Sequence, residues 1–320
     1  MTALPGLYGL LAALALTAAW LLWRRTSIIF SRAGPEAPGE PGDAELQRAG
    51  QLEQALRESL ARDTSFFELY LQPQHRLVGG ELVGAEVLIR WQDERLGTVS
   101  PAEFIPLAEA TGLIIPLDRR VFEASLAWLA AMPDEAAALR LSVNCSIRHF
   151  TDLGFPERLL ARCRLHGIAP ARLDLEITEH VAFDDLDTVR RVMSLLRHHG
   201  FGIALDDFGT GYTSLSFLQR LPFSKVKLDK AFIDPIDSQR RSRVLVQSLI
   251  TMAEALGLEV VAEGIEDRGQ LELLQRMGCP MGQGYLLGRP VPADRFLAAW
   301  LGGGRPEGAR PDRAPAPADA

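Results

Sequence analysis

Between about residue 44 and residue 301, short β-rich runs alternate with longer amphipathic stretches, and few architectures accept that pattern. Strand-like runs stand at Leu139–Asn144, Leu173–Thr178, Gly202–Leu205, Ser224–Leu228, Leu258–Ala262 and Gly284–Leu287. Helical runs accompany them at Ala102–Thr111, Leu117–Ala131, Glu157–His166, Leu186–His199, Gln239–Leu256 and Gln270–Met277. Leu46, Leu52, Leu56 and Leu60 mark a lead-in helix, and Phe67–Leu71 and Leu82–Arg90 flank a Gly79-Gly80 turn as a hairpin would. A strand returned to the same sheet through a helix is parallel to its predecessor. Seven or eight such units predict an α/β fold, a TIM-type (β/α)8 barrel, in which the opening hairpin makes one strand antiparallel.

The ends read differently. From Ala3 to Trp23 there is no charged residue, and a helix of about twenty residues at about 1.5 Å rise crosses a hydrocarbon core of about 30 Å. A cleaved signal peptide would have a basic segment before the apolar run, which Met1-Thr2 does not supply, whereas Arg24, Arg25 and Arg32 follow it. By the positive-inside rule this predicts a single-pass transmembrane anchor over residues 1–24 with the remainder cytoplasmic. Residues 25–44 form a Pro/Gly-rich linker, 45–301 the barrel, and 302–320 a disordered tail. The net charge of −7 argues against a DNA or RNA duplex as partner, because phosphate neutralisation needs clustered positive charge. The three cysteines, Cys145, Cys163 and Cys279, form neither a disulfide framework nor a zinc pattern and are expected to be buried apolar residues.

The chemistry is read from what closes each strand. The runs end as RLSVNCS, LDLEITE, GIALDDFG, KVKLD and VVAEGIE, while the second hairpin strand carries Glu86. In a barrel of this type the C-terminal strand ends converge on one rim, so carboxylates and an amide gather at one mouth. Any one of these acids is equally well a helix N-cap, but so many packed like charges repel unless a cation compensates. Oxygen ligands without cysteine or histidine suit Mg²⁺ or Mn²⁺ rather than zinc. Of the 34 basic residues only Lys225, Lys227 and Lys230 are lysines, all within one short window. An ammonium among acids fits phosphate chemistry, in which two divalent ions stabilise the attacking and leaving oxygens. The residues by themselves lead to a metal-dependent hydrolase of a phosphate ester.

The segments EVLIRW, LSVNCS, LEITE, DDFGTGYTSL, VKLD, VVAEGIE and GQGYLLGRP, in that order, resemble the EAL domain family of bacterial cyclic di-GMP phosphodiesterases over about Leu52–Leu301. The resemblance implies hydrolysis of cyclic di-GMP to linear pGpG with two Mg²⁺ or Mn²⁺ per site. It implies that Glu86, Asn144, Glu176 and Asp206 hold the first metal and that Asp206 and Asp207 bridge to the second. Lys227 corresponds to the lysine that helps hold the attacking water. Glu263 corresponds to an acid that is either general base or second-metal ligand. Asp229 and Glu179 are implied as supporting catalytic groups, Glu179 tethering the DDFG loop. Gln72, Arg90 and Gln283 are implied to contact substrate, and Gly209 and Gly211 to lend that loop its mobility beside a homodimer interface. Together with the anchor, this places the chain in the bacterial inner membrane.

The departures are small. Val87 stands where the family's alanine is, Thr213 where serine is common, and His149 where glutamine is frequent. His180 reads as a helix-entry residue, and His198 and His199 end a helix where imidazolium suits the dipole. The rival reading is a catalytically silent, membrane-tethered cyclic di-GMP receptor acting through a protein partner. Such a receptor lacks metal ligands or the lysine, and here all the candidates are present.

Overall fold

The computed structural model describes residues 43–62, 66–133, 136, 138–178, 185–209 and 215–300. The apolar run Ala3–Trp23, nearly all of the linker and the 302–320 tail lie outside the described residues, among which no helix is long and apolar enough to cross a membrane. Two compact units are distinguished: residues up to Glu68 with Ile89–Arg120, and Leu69–Leu88 with the chain from Val121 onward.

In the first unit, helix α1 (Asp43–Ala61) starts at the last linker residues and carries Leu52, Ala55, Leu56 and Ser59 on one buried face at helical spacing. Leu52, Ala55 and Leu56 join Trp91, Val99, Phe104 and Leu117 in one apolar core. Trp91, fully buried, lies 6.1 Å from the Phe67 ring and edge-on to Phe104 at 5.4 Å, and its indole N–H donates to Ser59 Oγ at 3.2 Å. Helix α2 (Pro101–Thr111) begins with proline at its first turn and stops at Gly112, whose φ of 76° supplies the left-handed cap.

The second unit holds the sheet. Strands β1 (Phe67–Arg76) and β2 (Leu82–Asp93) meet at the expected glycine turn. The short β3 (Gly97–Val99), absent from the sequence reading, pairs with the far end of β2 in the first unit. After α3 (Ile114–Ala130) come β4 (Arg140–Asn144), α4 (Phe155–Leu165), β5 (Leu173–Thr178), α5 (Leu186–His198), β6 (Gly202–Phe208) and α6 (Leu215–Arg220). They are followed by β7 (Lys225–Leu228), α7 (Lys230–Ile233), α8 (Arg240–Ala255), β8 (Glu259–Ala262), α9 (Arg268–Arg276), β9 (Met281–Gly282), β10 (Val291–Pro292) and α10 (Ala293–Trp300).

The sheet runs β1-β9-β8-β7-β6-β5-β4-β2 and closes through β1–β2, giving eight barrel strands, of which β1 is antiparallel to its neighbour β9. The other pairings around the barrel, from β2–β4 to β8–β9, are parallel. β7 is buried throughout and β5 nearly so, as parallel strands covered on both faces must be. Leu175, Ile203, Val226 and Val260 alternate with the polar residues and are buried; α5 supplies Val189, Val192, Met193 and Leu196 at helical spacing to the core.

One expected strand is misplaced. Residues Gly284–Leu287 form a turn, and the strand lies just before them, at Met281–Gly282. The cause is a close approach of backbones: a Cβ on Gly284 would stand 2.2 Å from Ile265 N and O. The loop after β8 instead hydrogen-bonds the turn, with Ile265 N donating to Gln283 O and Leu286 N to Ile265 O.

Candidate active site

Side chains alternate along a strand, so residues two apart share a face. Asn144 on β4, Glu176 on β5, Asp206 on β6, Lys227 on β7 and Glu263 just past β8 sit at or near C-terminal strand ends, Glu86 lies within the stretch of β2 that pairs with β4, and their polar atoms meet. Lys227 Nζ lies 2.8 Å from Glu263 Oε1, 2.9 Å from Glu176 Oε2, 3.0 Å from Asp206 Oδ1 and 3.5 Å from Glu86 Oε2. Asn144 Nδ2 donates to Glu86 Oε1 at 3.4 Å. Gln283 Nε2 donates to Glu86 Oε2 at 2.5 Å and to Glu263 Oε1 at 3.0 Å.

Two consecutive aspartates on a regular strand would face opposite ways. The β6–β7 register shifts between Leu205 and Phe208, and Asp207 has φ of 55°, the only non-glycine residue with positive φ among those described. This bulge lets Asp207 join Asp206 at the mouth. Glu86, Glu176 and Asp206 each place an oxygen within 4.8 Å of one another, and Asp206, Asp207 and Glu263 do the same. The two clusters share Asp206.

The donor set fits two hard divalent cations. When all are ionised, five carboxylates against one ammonium leave four negative charges, which two such ions would balance. Glu176 Oε1 is buried and accepts no hydrogen bond from the described residues, and such an orphaned anionic oxygen suits a cation. Burial pushes the Glu176 carboxyl up to about 8, with Glu86 and Asp206 adding to the rise and Lys227 opposing it. Burial likewise raises Glu263 well above the carboxylate range. Burial disfavours the Lys227 ammonium, but Asp206, Glu176, Glu263 and Glu86 together reverse this and hold it above the ordinary lysine range.

A sign follows for metal binding. Below about pH 8 Glu176 carries a proton that a cation must displace, so affinity rises with pH toward that value and proton release accompanies binding. Calorimetry of Mn²⁺ binding in two buffers of different ionisation enthalpy, at pH 6.5 and 8, should show tighter binding at pH 8 and more protons released at pH 6.5. Equal affinity and no proton release would contradict a protonated Glu176.

The other expected residues make contacts of their own. Asp229 caps α7, accepting from Ala231 N at 2.8 Å. Gln72 Nε2 donates to the Gly288 carbonyl at 3.3 Å. Arg90 belongs to the first unit, where it donates to the Ile89 carbonyl. Glu179, His180, Gly211 and Thr213 lie outside the described residues. His149 is buried and stacks on Phe155 at 4.5 Å. The three cysteines are buried, with burial pushing Cys163 up to about 11 and Cys279 to about 12, so neither is a reactive thiolate. The sequence reading missed Gln74, whose Nε2 donates to Gln283 Oε1 at 2.9 Å and so holds the amide that touches both glutamates. Its signal was the two-residue spacing from Gln72 along β1.

The model of the EAL domain family matches residues 53–290, and the chain belongs to that family. It is 39% identical over 261 residues to the cyclic di-GMP phosphodiesterase PA2567 of Pseudomonas aeruginosa, covering 82% of this chain and 44% of that protein. It is 36% identical over 258 residues to the bifunctional diguanylate cyclase/cyclic di-GMP phosphodiesterase MucR of the same organism, covering 80% of this chain and 37% of MucR. The chain thus spans less than half the length of these curated relatives. Among solved structures, the MucR phosphodiesterase in complex with cyclic di-GMP superimposes with a TM-score of 0.71 at 36% identity, covering 77% of this chain and 100% of that one.

Proposed function

We propose that this chain hydrolyses cyclic di-GMP to linear pGpG with two Mg²⁺ or Mn²⁺ ions. The observation that carries this reading is the pair of carboxylate clusters sharing Asp206, with Lys227 reaching both of them. Glu86, Asn144, Glu176 and Asp206 would hold one ion, and Asp206, Asp207 and Glu263 the other. When bound, such ions lower the pKa of a coordinated water and offset charge on the phosphodiester oxygens.

The remaining work falls to the chain. Lys227, fixed by three carboxylates, presents a permanent positive charge to the phosphoryl oxygens as charge gathers there, and orients the attacking water. The water oxygen bonds to phosphorus, one P–O3′ bond breaks, and the water's proton ends on the departing 3′ oxygen, leaving a 5′-phosphate and a free 3′-hydroxyl. Gln283, held by Gln74, keeps Glu86 and Glu263 apart and oriented. Glu263 has one of two tasks, to accept the water's proton or to hold the second ion. The pH profile of Glu263→Gln separates them, since loss of the base removes a limb that loss of a ligand only lowers.

The same reading includes a homodimer and tethering to the bacterial inner membrane through Ala3–Trp23 with the barrel in the cytoplasm. The support is the uncharged run followed by arginines. The deciding experiment incubates the purified full chain with cyclic di-GMP and Mg²⁺ or Mn²⁺ and follows pGpG by chromatography, beside Glu86→Ala. Metal-dependent pGpG, abolished in the variant, is the expected result. Tight cyclic di-GMP binding with no turnover at full metal occupancy would replace the enzyme by a tethered receptor.

A further inference from the structure

Of the three lysines, Lys227 is accounted for by the site and Lys225 is not. Lys225 is buried, at 3% exposure, and so is Asp174, at 1%; Lys225 Nζ donates to Asp174 Oδ2 at 2.6 Å. Their strands are not neighbours, because β6 lies between β5 and β7. The bond therefore crosses over β6, and it does so at Gly202, where a Cβ would stand 1.6 Å from Asp174 Oδ1. Two residues further along the same strands, Lys227 and Glu176 meet in the same way, across the small, fully buried Ala204.

The two bonds form rungs of one ladder. In the lower rung Arg140 also bonds Asp174 and lies 3.4 Å from Glu259, while Lys225 is 3.8 Å from Glu259. Two cations face two carboxylates there, so the lower rung is electrically closed and has no use for a metal. The upper rung has the surplus negative charge.

We propose that the Lys225–Asp174 rung is a positioning device for the upper one. It sets the height of β7 against β5 across β6, so that Lys227 Nζ arrives at Glu176 before any cation binds. A buried ammonium with one dominant acceptor does this as a compact point charge, which a forked guanidinium would not. The turnover arm of the test rests on the proposed phosphodiesterase reading; the metal-binding arm does not.

The test uses the full chain with Lys225→Met, Gly202→Ala and the double variant Asp174→Leu/Lys225→Met, measuring Tm, the Mn²⁺ dissociation constant by electron paramagnetic resonance, and kcat and KM. Lys225→Met leaves the buried Asp174 carboxylate to Arg140 alone, whereas Gly202→Ala displaces Asp174 without changing any charge. Both should lower Tm and weaken Mn²⁺ binding by about tenfold or more, as loss of groups that orient metal ligands does. Because reacting groups misplaced by about 1 Å lose up to about 10²-fold in rate, kcat should fall with KM little changed. The double variant is decisive, since exchanging a buried ion pair for apolar side chains often restores stability. If the rung positions, Tm recovers while Mn²⁺ affinity and kcat stay low.

Recovery of Mn²⁺ affinity to within about twofold of the parent along with Tm would overturn the proposal, because effects at sites that do not interact add to within about twofold. Should neither Lys225→Met nor the double variant fold, Lys225→Gln, which is neutral and too short to span to Asp174 as lysine does, decides by the same titration: parent-like Mn²⁺ affinity sinks the proposal and weakened affinity supports it. A parent that binds Mn²⁺ but makes no pGpG removes the phosphodiesterase reading and leaves the titrations to decide the rung. A parent that binds no Mn²⁺ removes the rung's role altogether.

Discussion

On the proposed phosphodiesterase reading, Lys227→Met should lower pGpG production by about 10²- to 10³-fold, the loss typical of removing one preorganised electrostatic group, while Mn²⁺ binding persists. Methionine keeps most of the buried stem volume, so the fold tolerates the change better than it would alanine. What is lost is the positive charge within 3.5 Å of Glu86, Glu176, Asp206 and Glu263. Those carboxylates then face one another with no cation of the chain's own, and divalent ions are held at least as tightly. This split, turnover lost and metal retained, distinguishes a lysine acting on substrate from one that merely holds the ligands together. Turnover within about tenfold of the parent would remove Lys227 from the chemistry, since one positioned charge is worth more than that in a water-excluded site. Steady-state kinetics at saturating Mn²⁺, beside a Mn²⁺ titration, gives both numbers.

A second large effect belongs to stability. Trp91→Ala empties a fully buried indole site bounded by Phe67 and Phe104 and leaves Ser59 Oγ without its donor. Truncations of this size in a packed core cost about 3–5 kcal/mol. With a urea slope of about 2–3 kcal/mol per molar, the midpoint should drop by about 1–2 M. Urea unfolding followed by circular dichroism and by tryptophan fluorescence reads this. A shift below about 0.5 M would mean that the first unit closes over the gap, as cores able to collapse do. Trp91→Phe, keeping most of the apolar volume, should retain most of the stability.

Much of the barrel was legible because local periodicity carries it. Buried strands such as Leu173–Thr178 are short and rich in branched residues, and helices such as Leu186–His198 repeat their apolar residues at helical spacing. The antiparallel opening strand was legible from a glycine turn. The eighth strand was not placed correctly, because Gly284 and its neighbours look extended in isolation and only the crossing of Ile265 bends them into a turn. The three-residue β3 and the eight-residue C-terminal α10 are too short for a period to be read.

The site divides in the same way. Residue types on the second hairpin strand and at the later strand ends named Glu86, Asn144, Glu176, Asp206, Lys227 and Glu263 as oxygen ligands and a cation, and the order of their motifs led to the family. Three things needed the closed barrel. Asp207 turns to the mouth only because a register shift and a positive φ break the alternation that a strand imposes. Gln74 enters the site only through Gln283, which is far from it in sequence. Lys225 finds Asp174 only across a neighbouring strand that has glycine at the crossing point. The sequence by itself determines the repeating units and the chemical character of the rim, because hydrophobic period and residue type are local properties. Which side chains share a proton, a cation or a bond is decided by the tertiary structure, because closing eight staggered strands brings together groups that no local pattern connects.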